Sequence, residues 1–431
     1  MPRPLLVLPA LAVLAISLAS CEDEPGAGDL LDAELTALIE SAVEGGTEAL
    51  RLPPSDAYAA MPQDPRNPLT AEKVALGRLL FHETALATES LTEAMTGTYS
   101  CASCHDAATG FQAGRHQGIG DGGVEVAGEG RSPASGLPAE RLDVQPLRTP
   151  SILHAGYQRV SLWSGQFGAA GPNADTEEQW TPGTPKELNR LGYEGVETQA
   201  IAGLELHRLR LDDRALDSLG YRSRFDAVFP DLPPADRYSP EAVGLAIAAY
   251  ERTVIANRAP FQRWLAGETD ALSPAEKRGA IAFFGTANCA SCHTGPGLAG
   301  EGFHALGLDD LHDCSEETFG AFEGQAAHLG RGGFTMRRAD MYAFKTPQLY
   351  NLADSRFYGH GASLRSLRAV IEYKNAAVPG NPRVPAERLA EGFAPLGLTE
   401  REVDDLVSFL EGGLRDPELE RYGVDEGSRV P

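Results

Sequence analysis

The sequence predicts an all-α chain built from two similar halves, with long loops and little strand. Three observations predict this: one ordered set of segments occurs twice, helix starts carry capping signatures, and runs of alternating apolar and polar residues are scarce. At 431 residues, with 42% apolar and 23% charged side chains, the chain is long enough for two globular domains and too apolar for disorder throughout. The 37 basic against 61 acidic residues give a net charge of −24 with no Lys/Arg-rich run, so a nucleic-acid backbone would be repelled.

Taken in order, residues 1–20 hold Arg3 and then the apolar run from Leu5 to Ser20, shorter than the roughly 20 residues of a bilayer-spanning helix, and read as a signal peptide. The run ends Leu18-Ala19-Ser20-Cys21, which resembles the bacterial lipobox. Cleavage there leaves Cys21 as a lipid-bearing N-terminus, with the body on the periplasmic side of the envelope and lipid as its only membrane contact. Residues 21–60 are acidic and punctuated by Gly and Pro. They read as a tether, with Leu31, Leu35, Leu38 and Ile39 spaced for a short amphipathic helix.

The repeat follows, and its two copies define an N-terminal domain, 61–265, and a C-terminal domain, 266–431. The first copy runs Ala71-Glu72-Lys73, an apolar stretch to Phe81, Cys101-Ala-Ser-Cys104-His105, Gly110-Phe111 and Arg148-Thr149-Pro150. The second runs Ala275-Glu276-Lys277, an apolar stretch to Phe284, Cys289-Ala-Ser-Cys292-His293, Gly302-Phe303 and Lys345-Thr346-Pro347. Helix starts are explicit: Ser273-Pro-Ala-Glu276 and Thr399-Glu-Arg-Glu402 are capping boxes, and Ser239-Pro240 opens a helix with Val243, Ile247 and Tyr250 on one face. Long Gly- and Pro-rich stretches between helices are expected to wrap a bound group.

The pentapeptide Cys-Ala-Ser-Cys-His carries the chemistry. With 6 Cys and 10 His in the chain, a Cys-x-x-Cys-His pattern arises by chance about 0.002 times, and here it occurs twice with identical filler. Two thiols three residues apart add to the two vinyl groups of one haem, and the adjoining imidazole reaches the iron. A zinc ribbon would bring its Cys pairs together with less sequence between them and would not need a histidine after each. A dithiol redox pair would sit between a strand and a helix. Cys101, Cys104 and His105 are therefore assigned to one c-type haem and Cys289, Cys292 and His293 to a second, with His105 and His293 as proximal ligands.

From about Pro65 to Leu414 the chain resembles the bacterial di-haem cytochrome c peroxidases and the related protein-oxidising MauG. Besides the haem motifs, the resemblance rests on Leu76-Gly-Arg-Leu-Leu-Phe81, Arg148-Thr-Pro-Ser-Ile152, Leu162-Trp-Ser-Gly165, Ala246-Ile-Ala-Ala-Tyr-Glu-Arg-Thr253 and Phe344-Lys-Thr-Pro-Gln-Leu349, leading to Phe357-Tyr-Gly-His-Gly361. It implies two cytochrome c-like domains, each wrapped around its haem. The N-terminal haem would be the peroxide site and the C-terminal haem the electron-accepting one. By the same resemblance Glu205 is the catalytic acid and base, Gln199 the active-site glutamine and Trp163 the residue between the haems.

The family's distal ligands map less directly. His116 is the nearby candidate at the first haem, although it falls several residues early. At the second haem the family uses Met or Tyr at a position that falls on Lys374, with Tyr373 adjacent and Met341 as a third candidate. One Ca2+ between the domains would lie near Arg148, Ser355 and Phe357. The activity implied is reduction of hydrogen peroxide with electrons from a small c-type cytochrome or cupredoxin that presents a basic face to this acidic chain. The alternatives are a MauG-like oxidase of a partner protein and a non-catalytic di-haem electron carrier, and Glu205 argues against the carrier. Cys314 is left without a partner.

Overall fold

The computed structural model describes residues 27–126 and 130–424. The signal-like segment and Cys21 lie outside the described residues. Among these there are eleven α-helices: α1 (Ala27–Ala42), α2 (Ala71–His82), α3 (Gly195–Leu206), α4 (Asp213–Ser218), α5 (Tyr221–Val228), α6 (Pro240–Glu251), α7 (Pro260–Leu265), α8 (Pro274–Phe284), α9 (Arg331–Thr335), α10 (Leu367–Ala376) and α11 (Glu400–Ser408). Strand among the described residues is limited to two short antiparallel pairs, β1 (Gly123–Val126) with β2 (Gly130–Pro133) and β3 (Phe303–His304) with β4 (Phe344–Lys345). The mostly helical, strand-poor expectation holds.

The helices begin where the capping residues put them. The Ser273 side chain accepts from the Glu276 N–H at 3.3 Å while Glu276 Oε2 accepts from the Ser273 N–H at 2.7 Å, and Thr399 and Glu402 form the same reciprocal pair. Thr70 caps α2 and Ser239 caps α6.

The repeat is also a repeat of packing. α2 crosses α6 in the first half, and α8 crosses α11 in the second, each time through a glycine. A Cβ on Gly77 would clash with the carbonyl oxygen of Ala246, and one on Gly279 with that of Asp405. Only a residue without a side chain lets the two backbones approach so closely. Arg252, at the end of α6, is fully buried and pairs with the equally buried Glu197 of α3 through Nε–Oε1 at 2.7 Å and Nη2–Oε2 at 2.6 Å. This two-pronged pair fixes α3 against α6, and α3 supplies the site described below.

The segment read as a tether is folded over its described part, residues 27–60. α1 buries Leu35 and Ile39 completely, and Asp32 accepts from Lys277 Nζ of α8 and from Trp264 Nε1 of α7. The apolar spacing of α1 needed a surface to cover, and α8 provides it. The other end of the chain crosses the opposite way. The Tyr422 carbonyl accepts from Tyr250 Oη and the Arg421 carbonyl from Arg78, both in the first half. α7, in the part assigned to the first domain, packs Phe261 against Phe284 and Phe409 of the second. One buried core thus runs across the expected boundary at 265/266. Among the described residues no helix is long and apolar enough to cross a membrane.

Candidate functional site

Each pentapeptide folds as a single 3-10 turn, Cys101–Ser103 and Cys289–Ser291, closed by the N–H of the following histidine on the carbonyl of the first cysteine. The two sites repeat in detail. His105 donates from Nδ1 to the Phe111 carbonyl at 3.2 Å, and His293 donates from Nδ1 to the Leu298 carbonyl at 3.0 Å. Phe111 and Leu298 both adopt left-handed backbone, at φ 56° and 47°, which turns each carbonyl back to its histidine. Phe81 lies 6.4 Å from the His105 ring and Phe283 6.5 Å from the His293 ring, at interplanar angles of 50° and 49°. With Nδ1 committed, Nε2 is the lone pair each imidazole has left to offer.

A continuous, largely apolar cavity of about 910 Å³ runs past both motifs, near the upper end of the range for small-molecule sites. Two thiols and one oriented imidazole at each of two places on its wall form the donor set of a c-type haem, so these residues fit two such groups. The thiols do not resemble a redox pair. Burial holds Cys104 up at about 12 and Cys289 at about 11, and raises Cys101 as well, whereas an attacking dithiol needs a lowered value. All five cysteines among the described residues are free.

The wall near the first motif carries a hydrogen-bonded pair absent from the sequence expectations. His207, which ends α3, faces the cavity and donates from Nδ1 to Oδ2 of the buried Asp143 at 2.8 Å. A charge on His207 acts through space on His105. Arg208 follows at φ 55°, a left-handed conformation uncommon for a non-glycine residue. It is held there by Asp121, 3.1 Å from Nε, and Asp143, 3.7 Å from Nη2. The Tyr99 hydroxyl donates to the His207 carbonyl at 2.8 Å. The end of α3 is therefore locked with one side chain turned to the cavity.

That side chain is not Glu205. Glu205 is exposed and outside the cavity wall, because two residues along a helix lie on nearly opposite faces and α3 gives the inward face to Gln199 and the turn after it to His207. Gln199 does line the cavity, as does Trp163. Trp163 donates from Nε1 to the Arg148 carbonyl at 2.7 Å, and its own carbonyl accepts from Lys345 at 2.8 Å. One residue thus bonds both halves.

The ligand candidates separate. His116 is buried away from the cavity, donating from Nε2 to the Glu317 carbonyl at 2.9 Å. With Gln117, which bonds Phe319, it pins the 309–338 loop to the first half. Met341 lies outside the wall, against Gly332. Tyr373 lines the cavity but donates its hydroxyl to the Leu306 carbonyl at 2.7 Å. Lys374 lines the cavity with its charge coupled to Cys289 and Cys292, and burial lowers its pKa. The calcium position does not fit: the Arg148 guanidinium is buried there, bonded to Gln112 and to Ser355 Oγ at 2.9 Å, so a cation would meet a buried positive charge. Cys314 Sγ lies 3.0 Å from Glu316 Oε2, beside Arg365.

Residues 71–270 match the family model for di-haem cytochrome c peroxidase. The methylamine utilization protein MauG of Methylorubrum extorquens is 29% identical over 360 residues, 83% of this chain and 82% of the relative. The cytochrome-c peroxidase IdrP1 of Denitromonas iodatirespirans is 28% identical over 395 residues, 87% of this chain and 90% of the relative, so the likeness takes in both halves. A solved MauG-like protein associated with microbial copper homeostasis superposes with a TM-score of 0.58 at 24% identity, over 85% of this chain and 95% of that one. That likeness speaks to the fold.

Proposed function

The chain belongs to the di-haem cytochrome c peroxidase and MauG family, whose members are peroxidases or MauG-like oxidising enzymes, and from that premise we propose that it reduces hydrogen peroxide to water with electrons from a small redox protein. Cys101, Cys104 and His105 would hold one haem and Cys289, Cys292 and His293 the other, with Lys374, rather than Tyr373 whose hydroxyl is committed to the Leu306 carbonyl, the cavity-lining candidate for the remaining ligand of the second. Bound haem supplies one-electron redox steps and an iron that takes peroxide.

The observation that carries this reading is the His207–Asp143 pair facing the first motif. Peroxide reduction consumes two protons and two electrons and yields two waters, and it needs a group that takes the proton from one peroxide oxygen and delivers it to the other as the O–O bond breaks. Neutral His207 has a free Nε2 for the first task. The Asp143 carboxylate fixes its tautomer and stabilises the imidazolium formed between the two steps. Gln199 adds an amide to the same wall, and Trp163 bridges the two halves. Both electrons come from the external donor.

The net charge of −24 favours a donor with a basic face, either a small c-type cytochrome or a cupredoxin. The segment before Cys21 supports export to the periplasmic side with lipid anchoring. A second reading, oxidation of residues of a partner protein, is favoured by the likeness to MauG proteins and by a cavity wall that contains no methionine among the described residues.

Stopped-flow mixing of the oxidised and half-reduced holoprotein with peroxide separates the readings. Rapid turnover with a reduced cytochrome supports the peroxidase, and a long-lived oxidised state without turnover supports the protein oxidase. No spectral change in either redox state would leave only an electron carrier.

A further inference from the structure

The geometry points to a divalent-metal site formed by Asp310, His312 and His328, separate from the two haem positions. Asp310 and His312 come from the start of the 309–338 loop and His328 from farther along it. Asp310 precedes the turn Leu311–Asp313, which carries His312, and His328 sits on the turn Ala326–Leu329. One ligand atom from each lies within 4.8 Å of the others. The two imidazole rings stand 4.7 Å apart, centre to centre, at 31°.

What distinguishes this cluster is that neither ring makes a well-formed hydrogen bond. Neither nitrogen of His312 and neither nitrogen of His328 meets hydrogen-bond geometry, although all four atoms are buried and the His328 residue is only 6% exposed. A buried imidazole almost always finds a partner for its N–H or its lone pair, and two adjacent rings without one call for a shared acceptor of lone pairs. A group in the large cavity cannot be the common partner, because Asp310 and His328 line that cavity and His312 does not.

The carboxylate is prepared for a cation. Asp310 Oδ2 accepts from Asn381 Nδ2 at 3.0 Å and from Arg383 at 3.2 Å, and Oδ1 from His360 Nε2 at 3.3 Å, which orients it as outer partners orient a metal-bound carboxylate. Asp313 Oδ1, 3.5 Å from His312 Nε2, stands next to the cluster as a further acidic group. Two imidazole nitrogens and one carboxylate oxygen, with no thiolate, suit Zn2+ among the common divalent ions and leave a position for water. The site also reaches the inter-motif region: His360 stacks on Phe344 at 3.6 Å between ring centres and meets the Trp163 ring edge-on at 6.3 Å. A cation at Asp310 would fix the histidine that braces Trp163.

The test uses the haem-loaded protein, stripped with EDTA and titrated with Zn2+ by calorimetry, with total metal counted by mass spectrometry. The expected result is two irons and one Zn2+ per chain, and loss of the Zn2+ alone in His312→Ala and His328→Ala. His328→Gln, nearly isosteric, guards against a folding defect: retained haem absorbance with at least tenfold weaker Zn2+ binding supports the site. Wild-type protein that takes up no third metal, or variants that bind Zn2+ as the wild type does, would falsify it.

Discussion

His207 donates from Nδ1 to Asp143 Oδ2 across 2.8 Å at the end of a helix whose next residue is held in left-handed backbone by two buried aspartates. The pair joins residues far apart in sequence, and it places a base, already oriented, on the wall shared with the first pentapeptide. From a helix that offers Glu205 and His207 two positions apart, the fold has turned the histidine inward.

His207→Gln and Asp143→Asn are therefore expected to slow peroxide turnover by about 10²–10⁴, the range for loss of a general acid and base, while both haems stay attached. Glu205→Gln is expected to turn over at close to the wild-type rate. Steady-state assays and haem spectra on the three variants check this, and a Glu205→Gln defect as large as that of His207→Gln would return the role to the glutamate.

Glu251, buried on the cavity wall, is held up at about 8 from 4.5 by burial, with the Glu197 charge adding and Arg252 opposing. The folded state then keeps a proton that the unfolded chain releases above about pH 4.5. Stability from this group is complete below that value and is lost as pH rises through about 8, a change on the order of 5 kcal/mol. Denaturant unfolding across that window should show the fall, and Glu251→Gln should flatten it.

Docking of α1 makes a different demand from a tether. Leu35→Ala and Ile39→Ala, each removing a fully buried side chain, are expected to cost about 2–5 kcal/mol. Thermal unfolding that leaves both variants at the wild-type midpoint would mean that α1 contributes nothing to the fold.

Turnover with a basic cytochrome should fall steeply as salt rises from 0.01 to 0.15 M, because the Debye length shrinks from about 30 to about 8 Å. The net charge of −24 makes long-range steering the first interaction the donor meets. A rate independent of salt would show that docking does not use this field.

Much of the molecule was legible because its signals are short-ranged. The capping boxes at Ser273 and Thr399 act over three residues, and they start α8 and α11 where they stand. The repeat of Ala-Glu-Lys, an apolar run and Cys-Ala-Ser-Cys-His anticipated two equivalent units, and the structure extends the equivalence to Gly77 with Gly279 and to Phe111 with Leu298. The facing of Glu205 was not legible. A resemblance places a residue on a helix but does not phase the helix end, and the left-handed Arg208 that sets the phase depends on Asp121 and Asp143. The loop histidines carried no motif, since His312 and His328 meet only when the loop folds back on itself.

By itself, then, the sequence determined the covalent chemistry and the helical grammar: which thiols and imidazoles stand together, and where helices begin. These depend on atoms a few bonds or one turn apart. The tertiary structure decided which side chain faces the cavity, where the chain ends dock and which distant residues share a buried space, because those outcomes depend on contacts between segments that only packing brings within reach.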